Sequence, residues 1–340
     1  MQNKLNKPVT ILTGFLGAGK TTFLNHLLRT NESTRYAIIE NEFGEQGIDN
    51  ELVLHPDDSI IQLNNGCLCC TLNDNLYDIL NELYVRREEF DEIIIEATGV
   101  ADPTGLAEPF IIHSTIKKHF PLRSIICLVD AESINGQLEE TEEALNQITY
   151  SDILLINKID LVGLGELTQL EQLLKRLNPL AKIVKGHKDY FPAIEIQGSL
   201  TKLEELLSQA SKGEQAISES FPIQQPHHHH HHHHTQEIIS HTFSFDKPFD
   251  FHLLYQQLLV YLNLQAKGLY RIKGLLWLEG KDHQVVFQSV GKRMDFEEHR
   301  TWKSDEERKS VLVFIGKQLP VQGLEKLLNK CISQTYQTSK

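Results

Sequence analysis

The residues with the most specific chemistry lie near the N-terminus. Gly14-Phe15-Leu16-Gly17-Ala18-Gly19-Lys20-Thr21, followed by Thr22, fits the spacing G-x-x-x-x-G-K-[ST] in full. Glycines at these positions let backbone amides turn inward and form an anion nest, and the helix N-terminus that follows adds its positive end. Lys20 is placed to neutralise the outer phosphates of a nucleoside triphosphate, and the Thr21 hydroxyl to ligate magnesium. These eight residues specify a triphosphate without specifying its base.

Base recognition is expected at Asn157-Lys158-Ile159-Asp160, which follows the apolar run Ile153–Ile156. A carboxylate at Asp160 can accept both donors on the Watson–Crick edge of guanine. Adenine lacks that pair of donors and would leave the carboxylate buried and unpaired. The Lys158 stem can cover the ring face. A third run, Ile93-Ile94-Ile95-Glu96-Ala97-Thr98-Gly99, ends in an acid and then a glycine. Glu96 is placed to hold magnesium through water, and the Gly99 amide to sense the γ-phosphate; the alternative is a plain strand end and turn. Lys20, Thr21 and Glu96 are thus the catalytic candidates. No residue stands out as general base, Glu42 being the nearest candidate.

Asn65-Gly66-Cys67-Leu68-Cys69-Cys70-Thr71 concentrates three of the chain's five cysteines. Thr71 and Asp74 read as a capping box, so the thiols sit at a helix N-terminus, where the dipole favours thiolate. Three thiolates form a soft donor set for zinc or Cu(I) and leave one tetrahedral position. Glu40, Glu42 and Glu45 supply carboxylates, in a segment where a GTPase carries its first switch. A redox cluster or inert cysteines, and a solvated glutamate turn, are the alternatives. Cys127, within Ile125–Val129, reads as a small buried hydrophobe.

These sites need a frame that brings them to one edge. Val9–Leu12, Ala37–Glu40, Ile60–Leu63, Ile93–Glu96, Ile125–Asp130 and Ile153–Asn157 are short Ile/Val/Leu-rich runs with amphipathic stretches between many of them. The pattern predicts an α/β domain with a mostly parallel sheet and helices on both faces, over residues 8–209. Residues 210–236 change to Ser, Gln, Gly, Pro and eight consecutive histidines, and read as a linker. Residues 237–333 read as strand, helix, strand, strand, strand, helix, a smaller α+β domain. The net charge of −13 argues against nucleic acid as a partner. No run of about 18 apolar residues predicts a membrane span, and Met1–Pro8 lacks a signal-peptide core. A cytoplasmic location is expected.

The phosphate loop, Glu-Asn-Glu-Phe-Gly-Glu, Cys-Leu-Cys-Cys, Glu-Ala-Thr-Gly and Asn-Lys-Ile-Asp occur in one order that closely resembles the CobW-type metallochaperone GTPases. The resemblance covers about residues 8–333. In the second half it rests on Arg271-Ile272-Lys273-Gly274 with Trp277, and on Ile315-Gly316, which are less specific. It implies GTP/GDP, magnesium and zinc as ligands, and delivery of the metal to a client metalloprotein. It also implies Cys67, Cys69 and Cys70 as zinc ligands, with Glu40 and Glu45 as carboxylate ligands. Gly14, Gly19, Lys20, Thr21, Asn157 and Asp160 carry over as nucleotide contacts. Ala97 stands where the family often has Ser or Thr, which leaves the magnesium assignment intact. A nucleotide- or metal-dependent homodimer is a further expectation. Cobalt or another transition metal, handled for cobalamin synthesis or metalloenzyme activation, is the alternative cargo; a zinc store or sensor with incidental hydrolysis is the alternative class.

The histidines His227, His228, His229, His230, His231, His232, His233 and His234 lie inside the chain between two domains, which favours an auxiliary metal-gathering loop over an expression tag or a plain polar linker. The base assignment has a direct test. Asp160→Asn is expected to weaken GTP binding by about 10-fold or more while leaving ATP binding unchanged, on the cost of losing a charge-assisted pair. Comparable GTP and ATP affinities in the unmutated chain, measured by calorimetry, would overturn it.

Overall fold

The computed structural model describes residues 6–31, 33–40, 60–64, 72–99, 101–188, 190–192, 203–206, 208 and 238–337. They fall into two compact units. In the first, the strands are β1 (Val9–Gly14), β2 (Tyr36–Glu40), β3 (Ile60–Asn64), β4 (Glu92–Glu96), β5 (Leu122–Asp130), β6 (Ile153–Asn157) and β7 (Lys182–Lys185). Its helices are α1 (Lys20–Thr30), α2 (Leu72–Val85), α3 (Pro103–Ile112), α4 (Ser114–His119), α5 (Ile134–Glu140), α6 (Glu142–Tyr150) and α7 (Leu164–Leu177). The strands form one seven-stranded sheet in the order β3-β2-β4-β1-β5-β6-β7, and every pair is parallel.

Parallel pairing puts the C-terminal ends of all seven strands at one edge, and the register fixes which residues meet there. Leu12 pairs with Glu96, Glu40 pairs with Glu96 and with Asn64, and Asp130 pairs with Asn157. All six residues of β1 are buried, as are all five of β6, so the sheet is covered on both faces. That explains continuous apolar runs in place of alternation. Leu12, Ile38, Ile94, Ile126, Leu128, Ile153 and Leu155 form one face, packed against Phe23, Leu24 and Leu28 of α1. Cys127 is 2% exposed in β5, and burial pushes its thiol up to about 12.

The second unit carries β8 (Ile238–Phe245), α8 (Phe251–Leu264), β9 (Leu269–Leu276), β10 (His283–Val290), β11 (Arg293–Thr301), β12 (Ser310–Lys317), α9 (Val321–Lys330) and α10 (Gln334–Gln337). Its sheet is antiparallel, ordered β11-β10-β9-β12-β8. Asp250 caps α8 by accepting from Leu253 N at 2.9 Å. Leu254, Leu258, Tyr261 and Leu262 of α8 join Phe287, Leu312, Phe314 and, from α9, Leu324 and Leu328 in one core. Arg176–Leu180, which include the last two residues of α7, also belong to this unit, and Leu180 and Leu203 pack with Leu275, Trp302, Val311, Val313 and Ile315. A division at residues 210–236 places these two short stretches differently.

β11 is a strand that the apolar pattern does not reveal. Its sequence, Arg-Met-Asp-Phe-Glu-Glu-His-Arg-Thr, has only two apolar residues because it is an edge strand, where charge discourages pairing with other chains. Met294 and Phe296 nevertheless pack against the core, and the Phe296 ring lies 4.8 Å from Phe287 and 5.3 Å from Phe251.

Phe287 is fully buried on a strand flanked on both sides. Phe287→Ala is expected to destabilise the second unit by about 3–5 kcal/mol. The chain's two tryptophans, Trp277 and Trp302, both lie in that unit, so urea unfolding followed by tryptophan fluorescence reads it alone. A midpoint unchanged by the substitution would contradict this packing.

Candidate nucleotide-binding and metal site

The loop after β1 is shaped for an anion. Gly14, Gly17 and Gly19 all have positive φ, of 137°, 75° and 97°. Glycine is required most strictly at Gly14, where a Cβ would lie 2.4 Å from the backbone oxygen of Leu128; Gly19 caps α1 in the left-handed region, and a Cβ there would lie 2.4 Å from Asn157 Nδ2. Ala18 is buried, while Leu16 is exposed at the rim. Lys20 folds back over the loop, its Nζ donating to Gly14 O at 2.9 Å and Phe15 O at 3.3 Å. Burial holds the Lys20 pKa below its ordinary value, opposed by the charge of Glu96. Loop carbonyls thus hold an ammonium that a polyphosphate would attract more strongly. Phe15 is half-buried at the start of this loop, and Thr22 is exposed on the first turn of α1.

Thr21 and Glu96 meet across the gap between α1 and β4, with Thr21 Oγ1 donating to Glu96 Oε1 at 3.2 Å. A hydroxyl and a carboxylate converging beside a phosphate loop are the hard oxygen donors that magnesium takes. When bound, magnesium would be held by Thr21 directly and by Glu96 through water, and would neutralise charge on the terminal phosphates. Gly99 lies three residues beyond Glu96 and is buried against the loop.

Asn157 ends β6, 3% exposed, and its Nδ2 donates to Ala18 O at 2.8 Å. This side chain ties the end of β6 to the phosphate loop. Lys158 adopts a left-handed φ of 60°, and its Nζ lies 2.7 Å from Asp130 Oδ2. Asp130 also accepts from Glu132 N at 3.0 Å and Ser133 Oγ at 3.2 Å. The Lys158 ammonium is therefore fixed over the strand ends. Asp160 is exposed on the 3-10 turn Ile159–Leu161, open to a ligand at the rim. Sequence reasoning passed over Asp130. The only sequence sign was an acid ending the apolar run Ile125–Asp130; the register with Asn157, which brings it to Lys158, is a product of the sheet.

The structure thus brings together Gly14 to Thr22, Glu96, Gly99, Asn157, Lys158 and Asp160 at one sheet edge. The side chain of Glu40, and Glu42, Glu45, Cys67, Cys69, Cys70, Thr71 and His227 to His234, lie outside the described residues. Among the described residues no group of three or more His, Cys, Asp or Glu side chains could hold a metal. Isolated histidines there pack on rings, His113 at 5.2 Å from Tyr77 and His119 at 4.8 Å from Tyr84.

Sheet order, phosphate loop and the Thr21–Glu96 pair define a P-loop nucleoside triphosphatase. Comparison with known proteins is more specific. The nucleotide-binding domain of CobW/HypB/UreG matches residues 8–185, and the cobalamin synthesis protein cobW C-terminal domain matches residues 238–332. The chain belongs to the CobW family of P-loop GTPases. It is 33% identical over 319 residues to the zinc chaperone YjiA of Escherichia coli, covering 92% of this chain and 94% of that one. It is 32% identical to the zinc chaperone CobW of Pseudomonas aeruginosa over 351 residues, 94% of this chain and 90% of that one. The crystal structure of zinc-bound YjiA GTPase from E. coli aligns with a TM-score of 0.64 at 29% identity, over 96% of this chain and 99% of that one.

Asn157→Ala would leave Ala18 O without its side-chain donor. Losing that bond is expected to weaken GTP and GDP binding alike by about 1–3 kcal/mol, since both nucleotides use the loop. Titration with each nucleotide checks it; undiminished affinity for both would show that the tie is dispensable.

Proposed function

We propose that the chain is a GTP-hydrolysing zinc chaperone that holds zinc on Cys67, Cys69 and Cys70 and passes it to a client metalloprotein in step with its nucleotide state. The observation that carries this reading is the strand register at the sheet edge. Glu96, beside the Thr21 hydroxyl, pairs with Glu40, and Glu40 pairs with Asn64. Asn64 ends β3, and the sequence runs from it directly into Asn65-Gly66-Cys67. Adjacent strands lie about 4.8 Å apart, so the backbone of Asn64, just before the cysteine segment, is about 10 Å, two strands, from the backbone of Glu96.

Glu40 leads into the segment 41–45, which carries Glu42 and Glu45. In this reading that segment acts as the first switch. It contacts the γ-phosphate and lends a carboxylate, from Glu40 or Glu45, to zinc. Loss of the γ-phosphate then rearranges the carboxylate side of the zinc site and releases the ion. Lys20 stabilises charge that develops on the transferred phosphoryl group, and Glu42 is the base candidate. His227 to His234 gather metal weakly and are not part of the tight site. The similar proteins named as zinc chaperones support zinc over cobalt as cargo, and a fission yeast relative, 38% identical over 186 residues, is named a zinc-regulated GTPase metalloprotein activator.

Linkage requires that if GTP changes zinc affinity, zinc changes GTP affinity by the same factor, with about 1–3 kcal/mol of coupling being typical. Zinc titration against a calibrated chelator, in nucleotide-free, GDP and GTP-analogue states, is expected to give different affinities. Cys69→Ser should abolish tight zinc binding and leave GTP binding intact, and Glu45→Ala should reduce the coupling more than the affinity. Identical zinc affinity in all three states, with an unchanged rate of transfer to an acceptor, would remove the chaperone mechanism.

A further inference from the structure

Gln147 lies on α6, outside every nucleotide motif, and is 1% exposed. Its carboxamide faces the turn that follows the magnesium carboxylate. Nε2 donates to Gly99 O at 3.0 Å and to Ala101 O at 3.3 Å, so both amide hydrogens are used on that turn. The turn is closed by Ala101 N donating to Thr98 O at 3.1 Å, and its entry is pinned by Ala97 N donating to Leu12 O at 2.8 Å. On its other side it is flush with the phosphate loop: a Cβ on Gly99 would lie 2.6 Å from Leu16 N and 2.9 Å from Leu16 Cα.

Gln147 itself is well anchored. Its backbone carbonyl accepts from Ser151 Oγ at 2.6 Å, and α6 starts with a Thr141 cap accepting from Ala144 N. The Gly99 turn is therefore held between a rigid helix and the loop that would cradle the phosphates.

We infer that Gln147 is a positioning residue that clamps the Gly99 turn against the phosphate loop and so sets recognition of the γ-phosphate. The inference rests on the GTPase reading of this site. A buried carboxamide that satisfies two carbonyls replaces water there and removes conformational freedom from the sensing turn before ligand arrives. GDP has no γ-phosphate to contact the turn and should not feel the clamp.

The test compares affinity for a non-hydrolysable GTP analogue with affinity for GDP, both with magnesium, in the full chain. Gln147→Leu is expected to lower the analogue-to-GDP affinity ratio about tenfold, the size of one well-placed hydrogen bond, and to lower kcat while GDP affinity stays within about twofold. Gln147→Glu keeps the shape but turns a carboxylate toward two carbonyl oxygens. Burial beside two carbonyl oxygens raises that carboxyl's pKa, so the ratio, taken relative to the unmutated chain at the same pH, should match it while the acid is protonated and fall as rising pH ionises it. A side chain needed only for stability would leave the analogue-to-GDP ratio unchanged at every pH. Asn146→Ala, which loses a 3.5 Å contact to Asp102 at the start of α3, should leave the ratio unchanged. Equal losses for analogue and GDP in Gln147→Leu, or a ratio in Gln147→Glu that keeps the unmutated value after the new carboxyl has ionised, would overturn the inference. If the unmutated chain does not prefer the GTP analogue to an ATP analogue, the GTPase reading itself fails, whatever Gln147 does.

Discussion

The parallel register of β1 between β4 and β5 is the constraint on which the site depends. The chain leaves β1 toward β2 on one side and later crosses to β5 on the other, so β1 sits where the strand order reverses. Loops diverge at such a point, and the crevice at the carboxyl ends of the strands is where open α/β sheets bind ligands. Here the divergence leaves room for the phosphate loop above β1, with Glu96 on one neighbour and Asp130 on the other. Slipping the register by one residue would turn Glu96 to the opposite face and separate it from Thr21.

Buried polar side chains then convert that frame into a fixed geometry. Asn157 joins β6 to Ala18, Asp130 fixes Lys158, and Gln147 holds the Gly99 turn. Each bond joins elements that are far apart in sequence, and Asn157, Asp130 and Gln147 are themselves buried. Such bonds contribute modestly to net stability, but leaving one partner unmade in a dry site costs more than the bond contributes. That asymmetry is why a few amides and carboxylates can hold a loop rich in glycine in one arrangement. Lys20 behaves differently: its ammonium rests on Gly14 O and Phe15 O, contacts that an incoming phosphate can replace.

The second unit rests on different physics. Its sheet is antiparallel, with one face packed on α8 and α9 through Phe243, Phe287, Phe314 and the leucines of both helices. Its opposite face includes Leu275, Val311, Val313 and Ile315, packed with Trp302, Leu180 and Leu203. The two short stretches around Leu180 and Leu203 are covalently part of the first half of the sequence yet bury their side chains here. Burial of apolar surface, which depends on neither charge nor local spacing, assigned them.

Local sequence determined a great deal. The strands of the parallel sheet were legible because residues buried on both faces must be continuously apolar, and the phosphate loop was legible because its spacing of glycines admits few other uses. Asn157, Lys158 and Asp160 were likewise readable as a motif, with Asp160 expected on guanine and Lys158 over the ring, though the partners that hold Asn157 and Lys158 in place were not. Tertiary structure alone decided that Asn157 braces the loop, that Lys158 is held by Asp130, and that Gln147 reaches the Gly99 turn. These pairings join residues across many intervening positions, and nothing in local periodicity encodes them. β11 escaped for the opposite reason: an edge strand carries charge where a central strand carries apolar residues, so its pattern resembles a loop until Phe296 is seen against Phe287. Sequence thus specified which chemistry is present, through residue types and short spacings, whereas the register of the sheet and the burial of a few polar groups decided which of those residues meet.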